Sequence, residues 1–179
     1  MRLLNNFSLF LFTTLSQVAH GQSIIMVPFS EFSIEFPSKP TRNIIKYIGI
    51  DNVAGEAISY QLITNDSVLK AEFAPSEGPQ SFNAMTDQKI KDQMLSYMVQ
   101  NGLHGSHVYL EHKGSLRIGH GRGTKFISHN GKKIASTYQS VVYYGNNSIL
   151  ILYVAAKSSD FPTDTISKFL NSVKIESEI

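Results

Sequence analysis

Five of the six histidines in this 179-residue chain, His104, His107, His112, His120 and His129, fall between residues 104 and 129. Imidazole titrates near neutrality and is the commonest metal-ligand type, so such a cluster could hold a divalent transition metal or sense pH. Strand parity limits it. His107 and His112 are five positions apart, so on one strand they face opposite sides, and all five cannot converge. If Lys113-Gly114 is the two-residue turn of a hairpin, residue 112 pairs with 115 and His107 lies opposite His120, with Cβ atoms about 5 Å apart. Glu111 shares that face but lies roughly 13 Å along it, too far to be a direct third ligand. The expected metal set is therefore His107 and His120, completed by His104 or a loop residue. Two ligands alone make a poor site, and a chance pair of partly exposed histidines is the simpler reading.

The glycine-rich segment Gly119-His120-Gly121-Arg122-Gly123-Thr124-Lys125 lacks the order of a phosphate-binding loop and precedes a strand instead of opening a helix. Bends or bulges between strands are expected to account for its glycines. A weak anion site would use Arg117, Arg122 and Lys125. No G-x-S-x-G or H-E-x-x-H occurs, and Asp87, Asp92, Glu111, Asp160 and Asp164 are too scattered to pair as acid and base. No catalytic residue is expected, and no cofactor beyond that divalent metal.

Composition sets the frame. Met1 and Arg2 give a positive start, Phe7 to Leu15 is an apolar run, and Ala19 and Gly21 stand where a cut needs small residues. This is the layout of a secretory signal peptide over residues 1–21, and the run is well short of the roughly 20 residues that span a bilayer. The 179 residues less a 21-residue leader leave 158, the size of one domain. The chain contains no cysteine, so it must hold together by packing, without disulfides or thiolate ligands. That absence favours a bacterial, periplasmic or secreted protein. Arg2 is the leader's only charge, leaving 15 basic and 14 acidic residues with no basic run. A nucleic-acid partner and stable membrane insertion after cleavage are not expected.

The elements must place these residues. Residues 22–30 read as a flexible lead-in and 31–176 as a single domain. Glu31 to Phe36, Arg42 to Ile50, Glu56 to Thr64 and Val68 to Ala74 read as strands. Thr86 is a good N-cap for a helix closing at Gly102, with Ile90, Met94, Tyr97 and Met98 as its core face. His107 to His112, Ser115 to His120, Arg122 to Ser128 and Lys133 to Tyr144 are extended, the last two flanking the hairpin signal Asn130-Gly131. Ile149 to Ala156 (ILILYVAA) is apolar at nearly every position, so layers must cover both of its faces. A closing helix starts near Pro162 and buries Ile166, Phe169, Leu170 and Val173. Strands, helix, four strands, helix make an α+β fold with helices on a mostly antiparallel sheet.

Phe32-Ser33-Ile34-Glu35-Phe36-Pro37 resembles the opening strand of the PsbP-like family, and Lys168-Phe169-Leu170-Asn171-Ser172-Val173-Lys174-Ile175 its closing helix and strand. Gly119 to Lys125, the hairpin after it and the ILILYVAA strand fit the same layout. The resemblance implies an α/β/α sandwich with a central antiparallel sheet flanked by helices. It also implies a binding or accessory role rather than catalysis, and transfers no functional residue. The expected function is an exported, non-catalytic accessory module whose partner is another protein or an envelope component. The alternative is a metal-binding or metal-sensing protein using the cross-strand histidine pair.

Overall fold

Ten strands and two α-helices organise the chain in the computed structural model, which describes residues 22–27, 32–48, 54–75, 85–129, 132–145 and 148–175. The leader read at residues 1–21 lies outside the described residues. A seven-stranded sheet runs in the order β3(Thr41–Ile48), β4(Ala54–Ile63), β5(Ser67–Pro75), β9(Ser148–Lys157), β8(Lys132–Tyr144), β7(Leu116–His129), β6(His104–Lys113), with every pairing antiparallel. A smaller sheet pairs β1(Ser23–Met26) and β10(Lys174–Ile175) with β2(Phe32–Phe36). The segment read as a flexible lead-in thus contains a strand, held by the β2 ladder.

The doubly apolar β9 is the central strand of the large sheet, as its composition requires. On one face Leu69, Phe73, Leu150, Leu152 and Val154 pack with Phe32, Ile34 and Phe36 of the small sheet. Ile166, Phe169 and Leu170 of α2(Asp164–Leu170) join this cluster. The Phe36 and Phe169 rings meet at 4.8 Å. Burying one such side chain contributes about 1.5–3 kcal/mol. The opposite face carries α1(Asp87–Gln100), capped by Thr86, whose Oγ1 accepts from the Lys89 amide at 3.3 Å. The expected sandwich therefore fits only in part. A helix covers one face, but the other is covered mainly by strands, with α2 sharing that layer. Helix α2 starts near Pro162 as expected, with Thr163 as N-cap, and ends before Val173, which still packs against this cluster.

Chain order explains where α1 lies. From β5 near the middle, the chain crosses to the far edge before starting β6, then returns through β7, β8 and β9 to pair with β5. α1 consequently packs on β6 and β7. Its seat is the glycine series. Cβ atoms at Gly119 and Gly121 would fall 2.5 Å from Met94 Sδ and 2.9 Å from Met98 Sδ, and one at Gly123 would fall 3.0 Å from Leu103 Cβ. These glycines alternate along one uninterrupted strand, so they are not the bends or bulges expected. They remove side chains where the helix must approach.

Candidate functional site

The structure separates the histidines. The β6–β7 ladder pairs Lys113 with Leu116, so the turn is Gly114-Ser115, with Gly114 at φ +63°. That is one residue beyond the expected turn and moves the register by two. His107 lies opposite Arg122, and His120 opposite Tyr109. The Tyr109 and His120 rings stack at 4.5 Å and 10°. Glu111, set aside at the shorter register, reaches His120 Nε2 at 3.2 Å. His107 and His120 are only diagonal neighbours, which puts them roughly 7–8 Å apart. His104 sits across the β6 irregularity, beside the Phe126 ring at 6.0 Å. His112 is on the other face, 2.8 Å from Asp87 Oδ2 at the start of α1. The side chain of His129 lies outside the described residues. Among the described residues, no three His, Asp or Glu side chains gather as a metal-ligand set.

The proposed anion cluster also disperses. Arg117, 8% exposed, donates from Nη1 to the Met85 carbonyl at 2.5 Å and lies 3.8 Å from Asp87 Oδ1. Arg122 points to the opposite face, over the Phe161 ring at 4.9 Å. Lys125 shares the Arg117 face but is eight residues along, roughly 26 Å at strand rise. Arg117 instead fastens the start of α1 to β7.

The site that does form is a cleft of about 560 Å3 between α1 and the sheet. Because α1 covers β6 and β7, the same face of β8, β9 and β5 is left as a floor beside it. The floor carries Tyr138, Ser140, Val142 and Tyr144 from β8, Ile149, Ile151 and Tyr153 from β9, and Lys70 and Glu72 from β5. Met94, Tyr97 and Met98 of α1 form the wall, and the exposed Lys89, Asp92, Gln93, Ser96 and Gln100 form the rim. A largely apolar concavity with a few polar groups is the ordinary form of a small-molecule site.

Its electrostatics are set by burial. Glu72 is 4% exposed and pairs with Lys70, two residues away on the same side of β5. A charge so enclosed is retained only with a partner. Burial raises the hydroxyls of Tyr97, Tyr144 and Tyr153 far above the ordinary tyrosine value, with Glu72 adding to the rise at Tyr97 and Tyr153. Burial raises Tyr138 as well, and its ring lies 5.8 Å from that of Tyr153. All four hydroxyls are therefore neutral hydrogen-bonding groups near pH 7.

Sequence reasoning passed over this site. In Val68-Leu69-Lys70-Ala71-Glu72-Phe73 the polar alternation reads as a solvated face, and only the crossing of α1 turns that face inward. The α1 stripe was expected to meet core. Met94 and Met98 do, against the glycines, but they also border the cleft with Tyr97. The signal available was the apolarity of Ile151 and Tyr153 on the second face of β9, which marked a covered surface without showing an opening in the cover.

No family model matches the chain, and no curated protein matches it. Among solved structures it is similar to cyanobacterial PsbP (CyanoP) from Synechocystis, with a TM-score of 0.58 at 7% identity, over 92% of this chain and 98% of that one. A second similarity, at a TM-score of 0.46 and 15% identity, is to LpqN of Mycobacterium tuberculosis, a protein involved in cell envelope biogenesis. It covers 88% of this chain and 91% of that one, and the score is too low to carry an argument. Among the described residues no helix is long and apolar enough to cross a membrane. The likeness to CyanoP over nearly the whole of both chains shows that this chain has the PsbP-like fold.

Proposed function

We propose that this protein is an exported, non-catalytic accessory module of the cell envelope or extracellular space, and that it acts by binding a ligand in the cleft between α1 and the sheet. The cleft carries the reading: about 560 Å3 of mostly apolar space with a few polar groups at fixed positions. Among the described residues its lining contains no histidine, and its carboxylates are Glu72, paired with Lys70, and Asp92 on the exposed rim. Tyrosines held protonated can orient a ligand but are poor bases. Such a lining supports binding over acid–base or nucleophilic chemistry. The leader-like segment at residues 1–21 supports export.

The test has two arms. Expressed in a bacterium, the protein is expected outside the cytoplasm with Gln22 at its N-terminus; cytoplasmic protein retaining Met1 refutes export. For the cleft, an organic-solvent extract of bacterial envelopes should raise the melting temperature of the wild type but not of Ile151→Trp, which fills the floor. Equal shifts in both, or none in either, refute the cleft as the binding site.

A further inference from the structure

We infer that the cleft selects an uncharged amphiphile, its hydroxyl, ester or amide groups meeting the tyrosine hydroxyls and its apolar part lying along Met94, Val142 and Ile151. This rests on the cleft being the binding site and adds the chemical class of what enters it.

Charge is the first argument. Among the described residues the formally charged side chains of the lining are Lys70, Glu72, Lys89 and Asp92, two of each sign, and the inner two are paired with each other. A ligand carboxylate would meet Glu72, a ligand ammonium would meet Lys70, and either must displace an existing partner in an enclosed space. Placing an unpaired charge there costs more than any new contact returns. The four tyrosine hydroxyls donate and accept without charge, which suits alcohol, ester or amide groups.

Shape is the second argument. From Tyr138 to Tyr144 the floor runs six residues of β8, roughly 20 Å, and from Lys89 to Gln100 the wall runs eleven residues of α1, roughly 16 Å. Polar groups stand at every rung of that floor: Tyr138, Ser140, Tyr153 and Lys70 towards one end, Glu72 level with Val142 and Ile151, and Tyr144 level with Ile149. An apolar chain along the floor therefore always has a hydrogen-bonding group within reach. The flexible Met94 and Met98 side chains can adjust to the apolar part of such a ligand.

Calorimetric titration of the mature protein with three ten-carbon probes tests this, each below its micelle concentration: monodecanoylglycerol, decanoate and decyltrimethylammonium. The expected result is one monodecanoylglycerol per chain, with each charged probe weaker by about tenfold or more. Lys70→Met, which strands Glu72, should shift the preference to decyltrimethylammonium, and Glu72→Gln, which strands Lys70, to decanoate. Circular dichroism confirms that each variant is folded, and should either fail, the wild-type ranking decides alone. Charged probes binding as well as the uncharged one, with binding lost in Ile151→Trp, overturns the selectivity and leaves the cleft standing. Binding unaffected by Ile151→Trp, or no binding of any probe, overturns both.

Discussion

Replacing Gly119 with alanine tests how the cleft wall is seated. The new Cβ would lie 2.5 Å from Met94 Sδ and 3.2 Å from its Cε, where ordinary contact needs about 3.4–4 Å, so the thioether must move by roughly 1 Å. Met94 is only 8% exposed and has sheet on one side and the cleft on the other. Overpacking of this kind costs about 1–3 kcal/mol. Removing a strand glycine returns about 0.5–1 kcal/mol of backbone entropy. The net expectation is a loss of about 0.5–2 kcal/mol, or a melting temperature lower by about 2–6 °C for a domain of this size. Met94→Ala alone should cost about 2–5 kcal/mol through the void it leaves. In the double variant the new methyl occupies part of that void, so the two changes should couple favourably by at least about 1 kcal/mol in urea unfolding. Strict additivity, or a Gly119→Ala protein stabilised by the full entropy gain, would refute close approach of α1 through the glycine series.

Three further predictions concern charge and metal. Glu72→Ala should destabilise by about 3–5 kcal/mol by stranding Lys70, whereas Lys70→Met combined with Glu72→Leu should stay within about 1–2 kcal/mol of wild type; chemical denaturation checks both. The tyrosines titrate from neutral to anionic, and folding raises Tyr97, Tyr144 and Tyr153 above their unfolded value of 10.0. The folded state therefore holds these protons more tightly. Its stability is undiminished below pH 10 and falls as pH rises above it. Phenolate absorbance for these residues should appear together with loss of near-ultraviolet circular dichroism; ionisation in a still-folded protein would contradict the burial. Finally, micromolar zinc should leave the melting temperature unchanged, because His107 and His120 lie across different rungs of the ladder. A saturable rise abolished by His120→Ala would restore the metal reading.

Local signals were legible where the chain states them twice. Thr86 with Gly102 bounded α1, and the unbroken apolar run of β9 identified the strand that both layers cover. The histidine geometry was not legible because it depended on one residue of turn placement. With Gly114-Ser115 as the turn instead of Lys113-Gly114, the register moved by two and exchanged His107 for Tyr109 opposite His120. The glycines of β7 announced an unusual backbone need. Whether that need was curvature or close approach depended on a helix contributed by another part of the chain. The cleft was hidden for the same reason. Lys70 and Glu72 have a surface pattern in sequence and become enclosed through the path of α1. Strand alternation reports that two faces differ, and topology decides which face meets solvent.

The central claim, that ligand enters between α1 and the sheet, is tested most directly by methyl resonances of methionine. The chain has five, of which Met94 and Met98 border the cleft and Met26 is exposed on β1. Titrating carbon-13 methyl-labelled protein with monodecanoylglycerol should shift Met94 and Met98 saturably while Met26 stays fixed. Shifts at Met26 with Met94 and Met98 unmoved, or no shift at any methionine, would contradict it.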